Sequence, residues 1–210
     1  MPETERFISV IATGQATVAP DLAIASFTVS GEGKELGPVR DDVNRRTSAI
    51  LDWVRTHEIA PADVNAQDVS IQPQYDYRRG QRLIGYRVAR SIAVTVRDLD
   101  RLGEVLDGVV ATGANEVHGA QMSASDPSAA EHRALVAAMT AARAKAAALA
   151  EAADVNLGGV TRIEEESGMP DSPMPKLAMM REAGGMDAPT EVAAGDLTVT
   201  RRVRAWFGLA

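Results

Sequence analysis

Several groupings of residues in this sequence could do chemistry. Gly31, Gly33 and Lys34 fall in FTVSGEGK, between a strand-like and a helix-like segment, where backbone amides and an ammonium could cradle a phosphate. A phosphate loop of the G-x-x-x-x-G-K-[ST] type needs glycine at position 28 and a hydroxyl after the lysine. Thr28 and Glu35 stand there instead, and a carboxylate at that point repels phosphate. The glycines read as conformational freedom at a strand exit.

The three histidines, His57, His118 and His132, show neither the HExxH spacing nor an i,i+4 pair, so a metal site would need them to converge from separate elements. Asp100, Glu104 and Asp107 recur on one helical face. They lie opposite a Leu/Val stripe and between arginines, the pattern of a solvated face. Five of the eight methionines, Met169, Met174, Met179, Met180 and Met186, crowd into one Pro/Gly-rich stretch, where soft thioethers could take copper(I) or form an adaptable apolar contact. There is no G-x-S-x-G elbow, and the absence of cysteine excludes thiol nucleophiles, disulfides and thiolate metal sites. No catalytic, cofactor-binding or metal-ligating residue is assigned, no cofactor is expected, and the protein is read as non-enzymatic.

Charge supplies the one candidate contact. RRGQR places Arg78, Arg79 and Arg82 at the tip of a predicted hairpin, as a basic surface for a protein partner. Eight carboxylates between Glu164 and Asp196 face only Lys176 and Arg181, so most of the net charge of −7 belongs to that segment. Docking of the basic tip onto it, within or between subunits, is one expectation. An acidic balance disfavours general nucleic-acid binding, which depends on neutralising phosphates.

The elements that must position these groups follow from periodicity. A chain of 210 residues, 45% apolar, can bury a real core. Strand-like segments flank Ala19-Pro20-Asp21 and predict two antiparallel strands joined by a tight turn, with Gly14 marking a bulge or a close backbone approach. Pro38 suits a first helical position, and a helix is expected to about His57. Period-two alternation over Val69–Tyr77 and Ile84–Val96 predicts a long hairpin, with Pro73 requiring an edge or a bulge. A helix from Asp98 stops at Gly113, and a short strand covers Glu116–Ser123.

Asp126-Pro127 opens a helix to about Ala153, in which fourteen of 27 residues are alanine, giving high propensity and a thin profile. Strands near Gly159–Glu165 and over LTVTRRVRAWF complete the order ββαββαβαββ, an α+β class with mostly antiparallel sheet and packed helices. Residues 167–195 read as a mobile Pro/Gly/Met-rich insertion in a single domain spanning 1–210. No apolar run approaches a membrane span, and MPETERFISV has no secretory pattern. The expected compartment is cytoplasmic, or periplasmic or extracytoplasmic if an export signal has been trimmed.

In order and spacing, ISVIATGQATVAPDLAIASFTVSGEGK, IAPADVNAQDVSIQPQY, GYRVARSIAVTVRDLDRLGEVLDGVVATGANEV and AARAKAAALAEAADVNLGGVTRIEE resemble the SIMPL-domain family over almost the whole chain. Gly14, Pro20, Asp21, Gly85, Tyr86 and Asp98 match best. The resemblance implies α+β proteins that assemble through their sheets and helices, in some cases into large ring-like or channel-like oligomers, with no accepted catalytic residues to carry over. Many members are bacterial periplasmic immunogenic or oxidative-stress-related proteins. The functional expectation is a self-associating homo-oligomer with a scaffold or stress-related role. The alternatives are a small-ligand-binding protein or enzyme whose site, near Tyr75, Tyr77 and Tyr86, forms only in the fold, and metal handling through the methionine-rich insertion.

Overall fold

The computed structural model describes residues 6–66, 69–78, 80–166, 174–175 and 195–210. Within them the order is β1 (Phe7–Val18), β2 (Leu22–Gly33), α1 (Leu36–Thr56), β3 (Val64–Asn65), β4 (Val69–Asp76), β5 (Arg82–Val96), α2 (Leu102–Thr112), β6 (Glu116–Ser123), α3 (Ser128–Ala152), β7 (Leu157–Glu165), β8 (Met174–Pro175) and β9 (Leu197–Leu209). Short 3-10 turns precede β3 and α2. The class is α+β with antiparallel sheets, as the patterning predicts. The two extra strands, β3 and β8, are each two residues long, too short to leave a periodic signal.

The chain divides into two compact units. One contains the sheet β1-β9-β7, with β8 on β9, and the helix α3. Alternation along β9 sends Leu197, Val199, Val203, Ala205 and Phe207 to the helix side, where all are buried. α3 meets that face with Ala130, Ala134, Ala138, Ala142, Ala146 and Ala150, one alanine at every fourth position and all buried. A stripe without bulky side chains lets the helix backbone come down onto β1 at Gly14. A Cβ at that residue would lie 2.2 Å from the Ala134 carbonyl oxygen and 2.3 Å from the Ala138 nitrogen. Gly14 therefore marks a close approach. α3 starts one residue later than the Asp126-Pro127 pair predicts, with Pro127 at its N-cap, and the Asp126 carboxylate accepts from the Ser128 N–H at 3.0 Å just ahead of the first turn.

The other unit holds a five-stranded sheet, β3-β5-β2-β6, with β4 also on β5. One face is covered by α1 and α2. Val43, Ile50 and Val54 of α1 and Leu102, Val105 and Val109 of α2 are buried, as are Phe27, Val29, Val88, Ile92 and Val94 of the sheet. Pro38 sits in the first turn of α1, where its missing N–H leaves no bond unmade. Gly113 ends α2 at φ 143°, donating its N–H toward Val109 and Val110.

One expectation is corrected. β1 and β2 do not form a hairpin about Pro20. β1 pairs with β9, and β2 has β5 along one edge and β6 along the other. With both edges of β2 occupied there is no ladder left for β1, and the Asp21 N–H instead donates to the Ser123 carbonyl at 3.1 Å, at the end of β6.

Candidate functional site

The glycines of FTVSGEGK belong to β2 and lie under α1. A Cβ at Gly33 would stand 2.7 Å from Val39 Cγ2, and one at Gly31 would stand 3.2 Å from Val43 Cγ2. Their smallness seats the helix. The histidines go to separate elements. His57 stacks on Trp53 with ring centroids 3.8 Å apart, His118 bonds Thr28 Oγ1 at 2.9 Å, and His132 is exposed on α3. Asp100, Glu104 and Asp107 are exposed at the start and along the outer face of α2, where Glu104 pairs with Arg101 at 3.2 Å. Met169, Met179, Met180 and Met186 lie outside the described residues, so the methionine grouping is without a geometry.

The face of the second unit's sheet away from its helices carries a polar network that sequence reading missed. Arg87 stands between Glu116 at 2.8 Å and Glu32 at 3.5 Å. The Ser30 hydroxyl donates to Glu116 at 2.9 Å, and Asn115 clasps the Ser30 backbone, accepting from its N–H at 2.8 Å and donating to its carbonyl at 3.2 Å. Arg87 and Glu116 join Val69, Ser70 and Gln72 around a trough of about 420 Å³ that is also lined by the small side chains Thr28, Ala89 and Ser91. Only the alternation of small polar residues along β2 hinted at it, because the partners come from strands remote in sequence.

The hairpin of β4 and β5 carries several exposed apolar side chains. β2 ends against Tyr86, so Arg82–Gly85 of β5 run on with β4 as their only strand neighbour among the described residues. The result is a two-stranded arm. Among the described residues β4 is an edge strand, one of the two settings that Pro73 calls for, and the register shifts further on, between Gln74 and Tyr75. With no helix of the described residues over it, the arm leaves Tyr75, Tyr77, Leu83 and Ile84 exposed, Tyr77 at 71%, and Val69 and Ile71 are exposed further along β4. Clustered exposed apolar side chains, as Tyr75, Tyr77 and Ile84 are around one hollow, mark interaction surfaces.

Arg78 and Arg82 are exposed at the arm's tip, and Arg79 lies outside the described residues. Asp76 stands beside them, opposite Arg82, its carboxylate accepting from the Arg78 N–H at 2.9 Å. Tyr75 and Tyr77, 6.2 Å apart, join Asp76, Arg78 and Ile84 around an open hollow. Tyr86 is not part of it, being paired between Pro73 and Gly33 in the sheet.

The acidic residues at the start of the segment are already paired. Glu164 pairs with Arg162, Glu165 lies 3.7 Å from Arg201, and Glu166 lies 3.1 and 2.7 Å from Arg202 and Arg204. Three of the eight carboxylates are thus matched by arginines of β7 and β9 in the same sheet. Asp171, Glu182, Asp187 and Glu191 lie outside the described residues.

Among ionisable groups, the Asp63 carboxyl is held below its ordinary range by a hydrogen bond from Arg97, 2.6 Å away. Glu104 is lowered in the same way by Arg101. Both pairs lie at the end of the sheet opposite the arm, beside a hollow of about 300 Å³ lined by Ile59, Ala60, Val96 and Val105 together with Glu58, Asp98 and the two arginines. No helix of the described residues is long and apolar enough to cross a membrane.

Residues 8–207 match the model of SIMPL (DUF541), described as a protein of unknown function. The chain belongs to the SIMPL family. It is 29% identical over 172 residues to the uncharacterized protein YggE of Escherichia coli K12, covering 80% of this chain and 70% of that protein. It is 33% identical over 174 residues to the 26 kDa periplasmic immunogenic protein of Brucella melitensis, covering 80% of this chain and 69% of that one. A YggE protein of Edwardsiella ictaluri is 30% identical over 155 residues, which is 72% of this chain and 65% of the relative. The chain thus spans just under two thirds of that last protein's length.

Proposed function

We propose that this SIMPL-family protein is a non-enzymatic, self-associating protein, with the β4–β5 arm as its contact surface. The observation that carries this reading is the arm itself, on which Tyr75, Tyr77, Leu83 and Ile84 stand exposed next to Arg78 and Arg82. A lone hairpin with that much apolar surface is costly in water and prone to uncontrolled edge pairing. A partner that covers it removes both costs. The role is that of a scaffold or stress-related factor, and the name of the Brucella relative supports a periplasmic or extracytoplasmic setting.

The test is the mass of the purified protein by size exclusion with light scattering at low and high salt. A discrete assembly that weakens at high salt is the expected result, because exposed charge pairs are screened over about 8 Å at physiological ionic strength. A monomer at both salts would sink the reading.

A second reading has one observation in its favour. The trough over Thr28, Ala89 and Ser91 has an arginine and a carboxylate at its rim, the layout of a site for a small polar molecule. Arg87 is already neutralised there by two carboxylates, which weakens it as an anion receptor.

A further inference from the structure

Granted that self-association, we propose that the contact is head-to-tail: the arm tip of one copy docks in the acidic hollow at the far end of the same sheet in a second copy. β5 fixes the geometry. It is one strand of 15 residues, with the arm at Arg82 and the hollow at Thr95–Val96. At about 3.3 Å per residue the two ends are roughly 45 Å apart. β5 is paired along most of its length with β2, so tip and hollow of one copy cannot meet.

Charge identifies the occupant. The tip presents Arg78 and Arg82, with Tyr77 projecting beside them. At the other end Glu58 and Asp98 line the hollow, Asp100, Glu104 and Asp107 stand exposed on the adjoining turn and α2, and the arginines there are engaged: Arg97 with Asp63, and Arg101 with Glu104 and the His57 carbonyl. Asp100 and Asp107 make no ion pair among the described residues. Between these charges, Ile59, Ala60, Val96 and Val105 give the hollow an apolar lining suited to an aromatic ring.

The symmetric alternative, arm against arm, asks for edge pairing along a strand containing Pro73, which lacks an N–H. A contact between different surfaces closes into a ring if its rotation allows, and otherwise grows as a filament.

Two charge-reversed forms of the full chain test this, one with Arg78→Glu and Arg82→Glu, the other with Asp100→Lys and Asp107→Lys. Each alone is expected to fall to monomer mass. Their equimolar mixture is expected to regain the wild-type mass, because each altered tip then meets an altered hollow and each native tip a native one. Wild-type mass retained by the second form, or no recovery on mixing, overturns the head-to-tail contact while leaving self-association standing. A wild-type monomer defeats self-association itself. Since the chain has no cysteine, a second measurement is independent of those variants. Tyr77→Cys mixed with Ala60→Cys should form disulfide-linked dimers on mild oxidation, and Tyr77→Cys alone should not. Dimers from Tyr77→Cys alone would establish arm-to-arm pairing instead.

Discussion

Gly14 lies so close under α3 that a methyl group added to it would sit 2.2 Å from the Ala134 carbonyl oxygen. The atoms in the way are backbone, so no rotamer change relieves the contact, and the helix has to lift off β1. Overpacking of this kind costs roughly 1–3 kcal/mol. Gly14→Ala is expected to lower the midpoint of urea unfolding accordingly. Gly159→Ala is the control: nothing stands within 4 Å of its Cβ position, and its effect should stay within about 0.5 kcal/mol.

The clasp of Asn115 on Ser30 ties the start of β6 to β2. It satisfies the Ser30 N–H at 2.8 Å and donates to the Ser30 hydroxyl at 3.0 Å. Asn115→Ala strands a part-buried backbone donor, and losses of that type cost about 1–3 kcal/mol. Hydrogen exchange should show the Ser30 amide losing protection first, ahead of the amides of β9. Equal loss across both sheets would mean that Asn115 serves global stability instead.

How far the fold could be read beforehand depended on the range of the interactions involved. The helices and long strands were legible because each buries one face of its own sequence: the alanines of α3, the alternation of β9 and the stripe of α2 carry their partners' positions in their own spacing. Gly14 was legible as a bulge or a close approach because a glycine within a strand needs a reason, and the packing of α3 decides for the second. The separation of β1 from β2 was not, since a Pro-Asp corner suits a hairpin and a change of sheet equally well. Trp53 was also missed. Its ring fills the place of a side chain at Gly108, with a Cβ there only 2.0 Å from Trp53 Cζ2, and nothing local to either residue announces that meeting. The exposed character of the arm was hidden for the same reason: Val69–Tyr77 alternates like a half-buried strand, and only the tertiary structure shows that no helix reaches it.

Asp63 gives the acid limb of stability a specific contributor. Its carboxyl is held below its ordinary value of 3.8 by the hydrogen bond from Arg97. A depressed folded-state value means that the stabilisation is fully present above the unfolded value and is lost as pH falls through the folded one. Melting temperature should therefore decline below about pH 4, and Asp63→Asn should flatten that part of the decline while leaving the slope between pH 6 and 8 unchanged. An unaltered acid limb would show that the pair is too exposed to matter, as many surface pairs are.

Tyr77 and Ile84 separate assembly from folding. Both are more than half exposed, at 71% and 52%, so replacing them removes little that the isolated chain buries. Tyr77→Ser with Ile84→Ser should leave the stability of the dissociated chain within about 0.5 kcal/mol of the parent, the usual range for surface changes. In the assembly the same side chains would be covered, and truncating a buried aromatic anchor at an interface costs about 2 kcal/mol or more per contact. The double variant is thus expected to weaken association at least thirtyfold per interface, about 2 kcal/mol. Light scattering across a dilution series would register this as a shift of the dissociation midpoint to higher protein concentration. An unchanged midpoint together with an unchanged melt would remove the arm from the interface. A large fall in stability at low concentration would instead make the two residues part of the core.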